Sequence, residues 1–249
     1  MLLPAFSLAK RELVRFFRQR GRVIGALATP VMFWLIMGSG IGRSFAGEGG
    51  DYLKYAFAGT TTMILLFTSI FASISIIEDR REGFLQSVLA SPAPRASIVL
   101  GKVLGGTALG FVQAFPFLLL APTVGLPLTA IGLAAGAASL ALTSFFLSSV
   151  GFFFAWRSES VAGFHGIMNV VLMPMWLISG ALFPLDGARS WMGYAMRANP
   201  LTYGLSALKS AIIPGAHEPF RMATSFAVIA CCAAGAFVAC SVSVKGDKA

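Results

Sequence analysis

Apolar residues in this chain gather into six long runs, near 23–42, 55–77, 103–124, 130–155, 161–183 and 223–244. Each run reaches the length at which a helix crosses hydrocarbon, about 20 residues for about 30 Å. The second, "YAFAGTTTMILLFTSIFASISII", and the fourth, "AIGLAAGAASLALTSFFLSSVGFFFA", carry no charge. Strands of a membrane barrel would alternate apolar and polar positions over about ten residues. These runs are continuous, so they predict helices, and the expected fold is an all-α polytopic membrane protein with six spans.

Between the runs the pattern changes. Residues 1–22, "MLLPAFSLAKRELVRFFRQRGR", set Phe6, Leu13, Phe16 and Phe17 among Lys and Arg at roughly helical spacing. This predicts an interfacial amphipathic helix at 1–22, its basic residues reaching lipid head groups, ahead of a six-helix domain at 23–249. An ordinary basic flank to the first span is the other reading. Residues 78–102 read "EDRREGFLQSVLASPAPRASIVLGK". On a helix, Phe84, Leu85, Val88 and Leu89 share an arc of about 140°, with Asp79, Arg80, Glu82 and Gln86 mostly elsewhere. The pattern is a short helix with an apolar ridge and charged shoulders, stopped by Pro92 and Pro94, with Arg95 and Lys102 marking the return to the membrane interface. It suits docking by another protein or rest on lipid as a solvated loop, and the residues alone leave both open. From Pro184 to Arg221, "SWMGYAMRA" and "TYGLSALKSAI" are each too short to span, and Pro200 disfavours helix at Asn199. Two short re-entrant or interfacial helices fit there, with Trp191, Tyr194 and Tyr203 as belt residues; a plain external loop is the alternative.

Composition narrows the class. With 57% hydrophobic residues, 12% charged and a mean hydropathy of +0.80, the chain is too apolar for one soluble core. Of its 19 Lys and Arg, 13 fall on the N-terminal side of alternate connections, which places both termini and residues 78–102 in the cytoplasm of a cell (inner or plasma) membrane. The net charge of +9 then reads as a topology signal and a contact for anionic lipid, with no nucleic-acid partner. A basic, polar N-terminal segment ahead of any apolar run predicts no cleavable signal peptide. Cys231, Cys232 and Cys240 all lie in the last run and read as packing residues.

Polar side chains inside the spans are scarce. Gln113, and His165 with Asn169 four residues on, are candidates for a pathway or for hydrogen bonds between helices, and the second reading leads. Glycines recur four apart, at Gly101 and Gly105, Gly106 and Gly110, and Gly132 and Gly136, a pattern that lets helices approach closely. Pro174 predicts a kink. "LGKV" lacks the upstream glycine and the hydroxyl residue of a phosphate-cradling loop, so no ATP site is expected here. Asp186 is the only acid between Glu159 and Glu218 and the chain has two histidines, which supports neither paired-carboxylate catalysis nor a metal site.

Two blocks carry a family resemblance. "EDRREGFLQSVLASPAPRASIVLGK" resembles the coupling segment of ABC-2 type exporter permeases: a charged cluster and Gly, an apolar pair, Ser-Pro, a basic residue and Gly-Lys. "PMWLISGALFPLDGARSWMGYAMRANPLTYGLSALK" is similar to the family's stretch from the fifth span into its external region. Phe84, Gln86 and Ser190 depart from common family residues, the first two where ATPase choice is read and the third in the external cap. The resemblance implies the transmembrane half of an ATP-driven exporter, not itself an enzyme and binding no cofactor. Two permease chains, most simply a homodimer, would pair, and two copies of a separate cytoplasmic ATPase would hold ATP and Mg. It implies ATPase coupling by Glu78, Asp79, Arg80, Arg81, Glu82, Gly83, Phe84, Leu85, Val88, Leu89, Ser91, Pro92, Arg95, Gly101 and Lys102, with Phe84, Leu85 and Leu89 as the inserted ridge. Gly180, Pro184, Trp191, Asn199, Pro200 and Tyr203 would build the external re-entrant segment. The substrate expected is amphipathic or lipid-linked. A secondary transporter, which would need buried acids or internal repeats, and a non-transporting scaffold driven by the same type of ATPase are the competing readings.

Overall fold

The computed structural model describes residues 2–41, 52–90, 94–185, 189–213, 215 and 218–246. Among them the regular elements are helices: α1 Leu2–Arg18, α2 Arg20–Ile41, α3 Tyr52–Arg81, α4 Phe84–Leu89, α5 Arg95–Leu118, α6 Ala130–Arg157, α7 Val161–Trp176, α8 Ser190–Ala198, α9 Pro200–Ile212 and α10 Met222–Gly246. A 3-10 turn, Ala121–Val124, follows α5, and α7 loosens into a π turn at Leu177–Ala181. Six helices are long and apolar enough to cross a membrane: α2, α3, α5, α6, α7 with its π turn, and α10. They fall on the six apolar runs, but their ends do not stop where hydrocarbon would. At 30 residues α3 is about 45 Å long by helical rise, well beyond a hydrocarbon core of about 30 Å. Likewise α5 begins at Arg95, eight residues before its apolar run.

α3 is the axis of the molecule. It is buried along most of its length, packed on α2, α5, α6 and α7, whereas most residues of α2, α7 and α10 are not fully buried. Trp34, Phe57 and Phe117 join α2, α3 and α5, with ring centroids 4.7–5.7 Å apart. Hydroxyls buried in α3 are met by its own backbone, Thr61 donating to Phe57 O at 2.8 Å and Thr68 to Ile64 O at 2.7 Å. This is how a helix carries Ser and Thr in apolar surroundings.

The glycine pairs place the helices. A Cβ at Gly101 would lie 2.7 Å from Ala5 O and one at Gly105 2.9 Å from Glu12 Cβ, so this pair seats α1 against α5. Gly106 and Gly110 face Ser148 and Ser144 of α6, while Gly132 and Gly136 of α6 face Ala211 and Ile212 of α9. The small-residue stripes thus set three separate helix contacts.

The helix ends collect on two faces. On one, Arg80 donates to Trp156 O and, at 3.2 Å, to Ser158 O, and Arg81 reaches Glu159 O at 3.3 Å, joining α3 to the α6–α7 turn. There too Arg95 of α5 donates to Val244 O of α10 at 3.0 Å. These are cations at the carbonyl ends of helices, where the backbone dipole favours them. On the other face, the start of α3 meets the π turn and α9.

Candidate coupling site

The first face carries a cluster of charges that holds α1, α3, α4 and α5 together. Asp79 in the last turn of α3 has no exposed surface. Its Oδ1 accepts from Arg11 at 2.9 Å and from Arg15 at 2.6 Å, and its Oδ2 accepts from Arg11 at 3.0 Å and from Lys102. The Arg11 fork is bidentate, the geometry that fits a guanidinium to a carboxylate. Lys102, itself buried, also donates to Glu12 at 2.7 Å. Arg15 bridges to Glu78 at 3.1 Å and Glu82 at 3.2 Å, and Arg22 at the start of α2 bonds Glu78. Four acids, Glu12, Glu78, Asp79 and Glu82, thereby face Arg11, Arg15, Arg22 and Lys102. Asp79, Glu12 and Lys102 are nearly out of water, where charges persist only when paired with good geometry.

α4 is seated on this cluster. Gly83 turns the chain with φ 76°, a left-handed conformation that favours glycine, and a Cβ there would meet nothing within 4 Å, so conformation rather than space explains the residue. Arg11 lies over the Phe84 ring at 3.7 Å, and Leu85 is 3% exposed, part of the chain's own core. Val88 and Leu89 are half-buried against that core. The apolar ridge therefore faces inward. A six-residue helix between two spans buries its apolar side most directly on those spans, which leaves Arg81, Glu82, Gln86, Ser87 and Ala90 as the outward surface. Leu85 is thus not an exposed docking residue, and Lys102 pairs with Glu12 and Asp79 inside a buried ion network. Ser91 and Pro92 lie outside the described residues.

α1 also packs on the chain itself. Ala5, Ala9, Glu12 and Phe16 form a buried face against α5, while Leu3, Phe6 and Phe17 are exposed. Arg11, Arg15 and Arg22 point to the chain's own carboxylates, because those buried acids need counter-charges more than lipid does; Lys10, Arg18 and Arg20 stay exposed. The available sequence signal was Glu12, the only acid before Glu48.

On the opposite face, Asn199 is extended (ψ 116°) between α8 and α9, as the following proline requires. Its Oδ1 accepts from Leu201 N at 3.0 Å, capping α9, and its Nδ2 donates to Met175 O at 2.6 Å, tying α9 to the end of α7. α9, with Pro200 in its first turn, is buried between α6 and α10, where Ser139 donates to Gly204 O at 2.9 Å. Trp191 and Tyr194 are exposed on α8, and the Tyr203 hydroxyl donates to Arg197 O at 2.8 Å. Gly180 takes φ 89° in the π turn, close to the exposed Pro184. Of the polar span residues, Gln113 donates to Thr68 at 2.9 Å, a bond between α5 and α3. His165 packs beside Phe71 and Asn169 is exposed on the outward side of α7, so neither joins Gln113.

The ABC-2 type transporter family matches residues 5–213, from the first turn of α1 through α9. The chain belongs to that family. Among its relatives, a Cyanophora paradoxa protein named as transport permease ycf38 is 24% identical over 215 residues, 82% of this chain and 72% of the relative. Nodulation protein J of Rhizobium meliloti (strain 1021) is 23% identical over 198 residues, 75% of this chain and 72% of the relative. An ABC-2 match makes these residues the multi-pass membrane permease part of an ABC transporter, with no ATPase domain among them. A permease of this kind implies a partner ATPase.

Proposed function

We propose that this ABC-2 permease is the membrane half of an exporter whose partner ATPase, holding ATP and Mg, docks on α4 and the adjoining ends of α3 and α5 from the cytoplasm. One observation carries the reading: α4 is fixed to the spans by the buried Leu85 and by Arg11 over Phe84, above ion pairs shared by α1, α3 and α5. Force applied to α4 therefore reaches α1, α3 and α5 together. The surface offered to the ATPase is polar, with Glu82, Gln86 and Ser87 in place of the apolar ridge. Lys10, Arg18 and Arg20 remain for anionic lipid at the same face, in keeping with cytoplasmic termini.

Two chains pair through the outward faces of α2 and α7, which approach each other where Phe33 meets Trp176 at 5.7 Å. Asn169 on that face is a polar amide at span depth, favoured by a protein or pathway environment over lipid. α8 serves as an interfacial helix and α9 as a re-entrant one at the external exit. The mostly apolar interior suits an amphipathic or lipid-linked substrate.

Mild-detergent capture of the tagged chain from its native membranes tests the reading. The wild type should bring down a P-loop ATPase in stoichiometric amount, and Ser87→Arg, on the exposed side of α4, should lose it while the permease stays in the membrane. A well-folded wild-type chain that brings no ATPase would overturn the proposal.

A further inference from the structure

The external face holds a pocket of about 170 Å³ between α3, the π turn, α9 and the segment leading to α10. Three of its lining residues, Thr202, Ser206 and Lys209, stand at i, i+4 and i+7 on α9 and so share one stripe. The hydroxyls of Thr202 and Ser206 are buried without a hydrogen-bond partner. Lys209 is 3% exposed; its Nζ donates to Gly180 O at 2.8 Å and sits 3.9 Å from the Tyr55 ring centre. Tyr55 donates to the same carbonyl at 2.7 Å, so the pocket's nearest backbone acceptor already serves two donors. An ammonium carries three donors, and the carbonyl takes one of them. Buried polar groups ordinarily find partners, so two hydroxyls and a cation aimed into one cavity point to an acceptor-rich guest. The volume equals the share of about five or six waters, room for a phosphate and its first carbons but not for acyl chains.

We propose that this pocket binds the singly charged phosphodiester head of an amphiphile, its phosphate oxygens accepting from Lys209, Thr202 and Ser206. Glu218 lines the same pocket and opposes a dianion, which favours a diester over a phosphate monoester or free phosphate. The pocket stands on its own geometry; only its external position rests on the exporter reading. Among the described residues the titratable groups facing Lys209 are Tyr55 from α3 and Glu218 from the segment before α10. Burial pulls the Lys209 ammonium down to about 8, against the pull of Glu218. The group thus carries its charge below that value and loses it above.

The test uses the full chain, delipidated in detergent, with phosphatidylglycerol and, as a phosphate-free control, diacylglycerol, binding being read by native mass spectrometry. Phosphatidylglycerol should be retained and diacylglycerol not. Ser206→Val, which crowds the pocket but leaves Lys209 on Gly180, should weaken retention about tenfold, the scale of one charge-assisted hydrogen bond. Lys209→Met should do the same, and retention should fall between pH 7 and 9. Displacement by dimethyl phosphate would show that the soluble diester is enough, whereas its failure to displace a lipid lost in both variants would mark a site for lipid alone. Equal retention of the two lipids, or retention that survives Ser206→Val in a chain of unchanged melting temperature, would overturn the proposal. ATPase capture is scored separately, so failure of the exporter reading would leave this result interpretable.

Discussion

Asp79 shows how far a single residue's role depends on its surroundings. In the sequence it is one charge in a run of five; in the fold it is fully buried and shared by Arg11, Arg15 and Lys102. Removing one partner from a buried ion pair costs about 3–5 kcal/mol, because the other charge is left without compensation. Asp79→Asn should therefore lower the unfolding midpoint in detergent by a loss on that scale. Lys102→Met should cost less, since Asp79 keeps both arginines and Glu12 keeps Arg11 at 3.4 Å. Equal losses would mean that the cluster is not centred on Asp79. Leu85 makes the same point with the opposite chemistry: its place in an apolar ridge was readable, but the direction of that ridge was not.

Among the elements, α1 is where periodicity said least about contacts. Its amphipathic pattern was plain, yet what it packs on is set by glycines about ninety residues away. Gly101 leaves no space for a side chain, since a Cβ would meet the backbone oxygen of Ala5 at 2.7 Å, and an overpacked contact costs about 1–3 kcal/mol. Gly101→Val should loosen α1 from α5 and speed tryptic cleavage at the exposed Arg18 and Arg20. Gly21→Ala, where an added Cβ meets nothing within 4 Å, should leave cleavage unchanged. α8 and α9 were more legible, because Pro200 dictates the break at Asn199 by local sterics. That α9 sinks between α6 and α10 follows instead from Gly132, Gly136 and Gly204, which permit the approach.

Among the described helices α3 is the long one most fully buried, and the exposed sides of α2 and α7 form an outward wall. If that wall is where two chains meet, Asn169→Cys, in a chain whose Cys231, Cys232 and Cys240 are replaced by serine, should form a disulfide-linked dimer in membranes. Val242→Cys on the outward side of α10 should react with a maleimide and give no dimer. The reverse pattern would move the interface to α10.

By itself the sequence determined the six spans, the short helix after α3, the break at Asn199 and the family blocks. Each depends on the composition of one continuous segment, whose preference for hydrocarbon or for a turn is a sum over its own residues. Only the tertiary structure decided that Lys102 pairs with Glu12 and Asp79, that Leu85 turns inward, and that Lys209 lines a pocket beside Gly180. Those outcomes join residues 23 to 90 positions apart, and they depend on which helices become neighbours, which no single segment encodes.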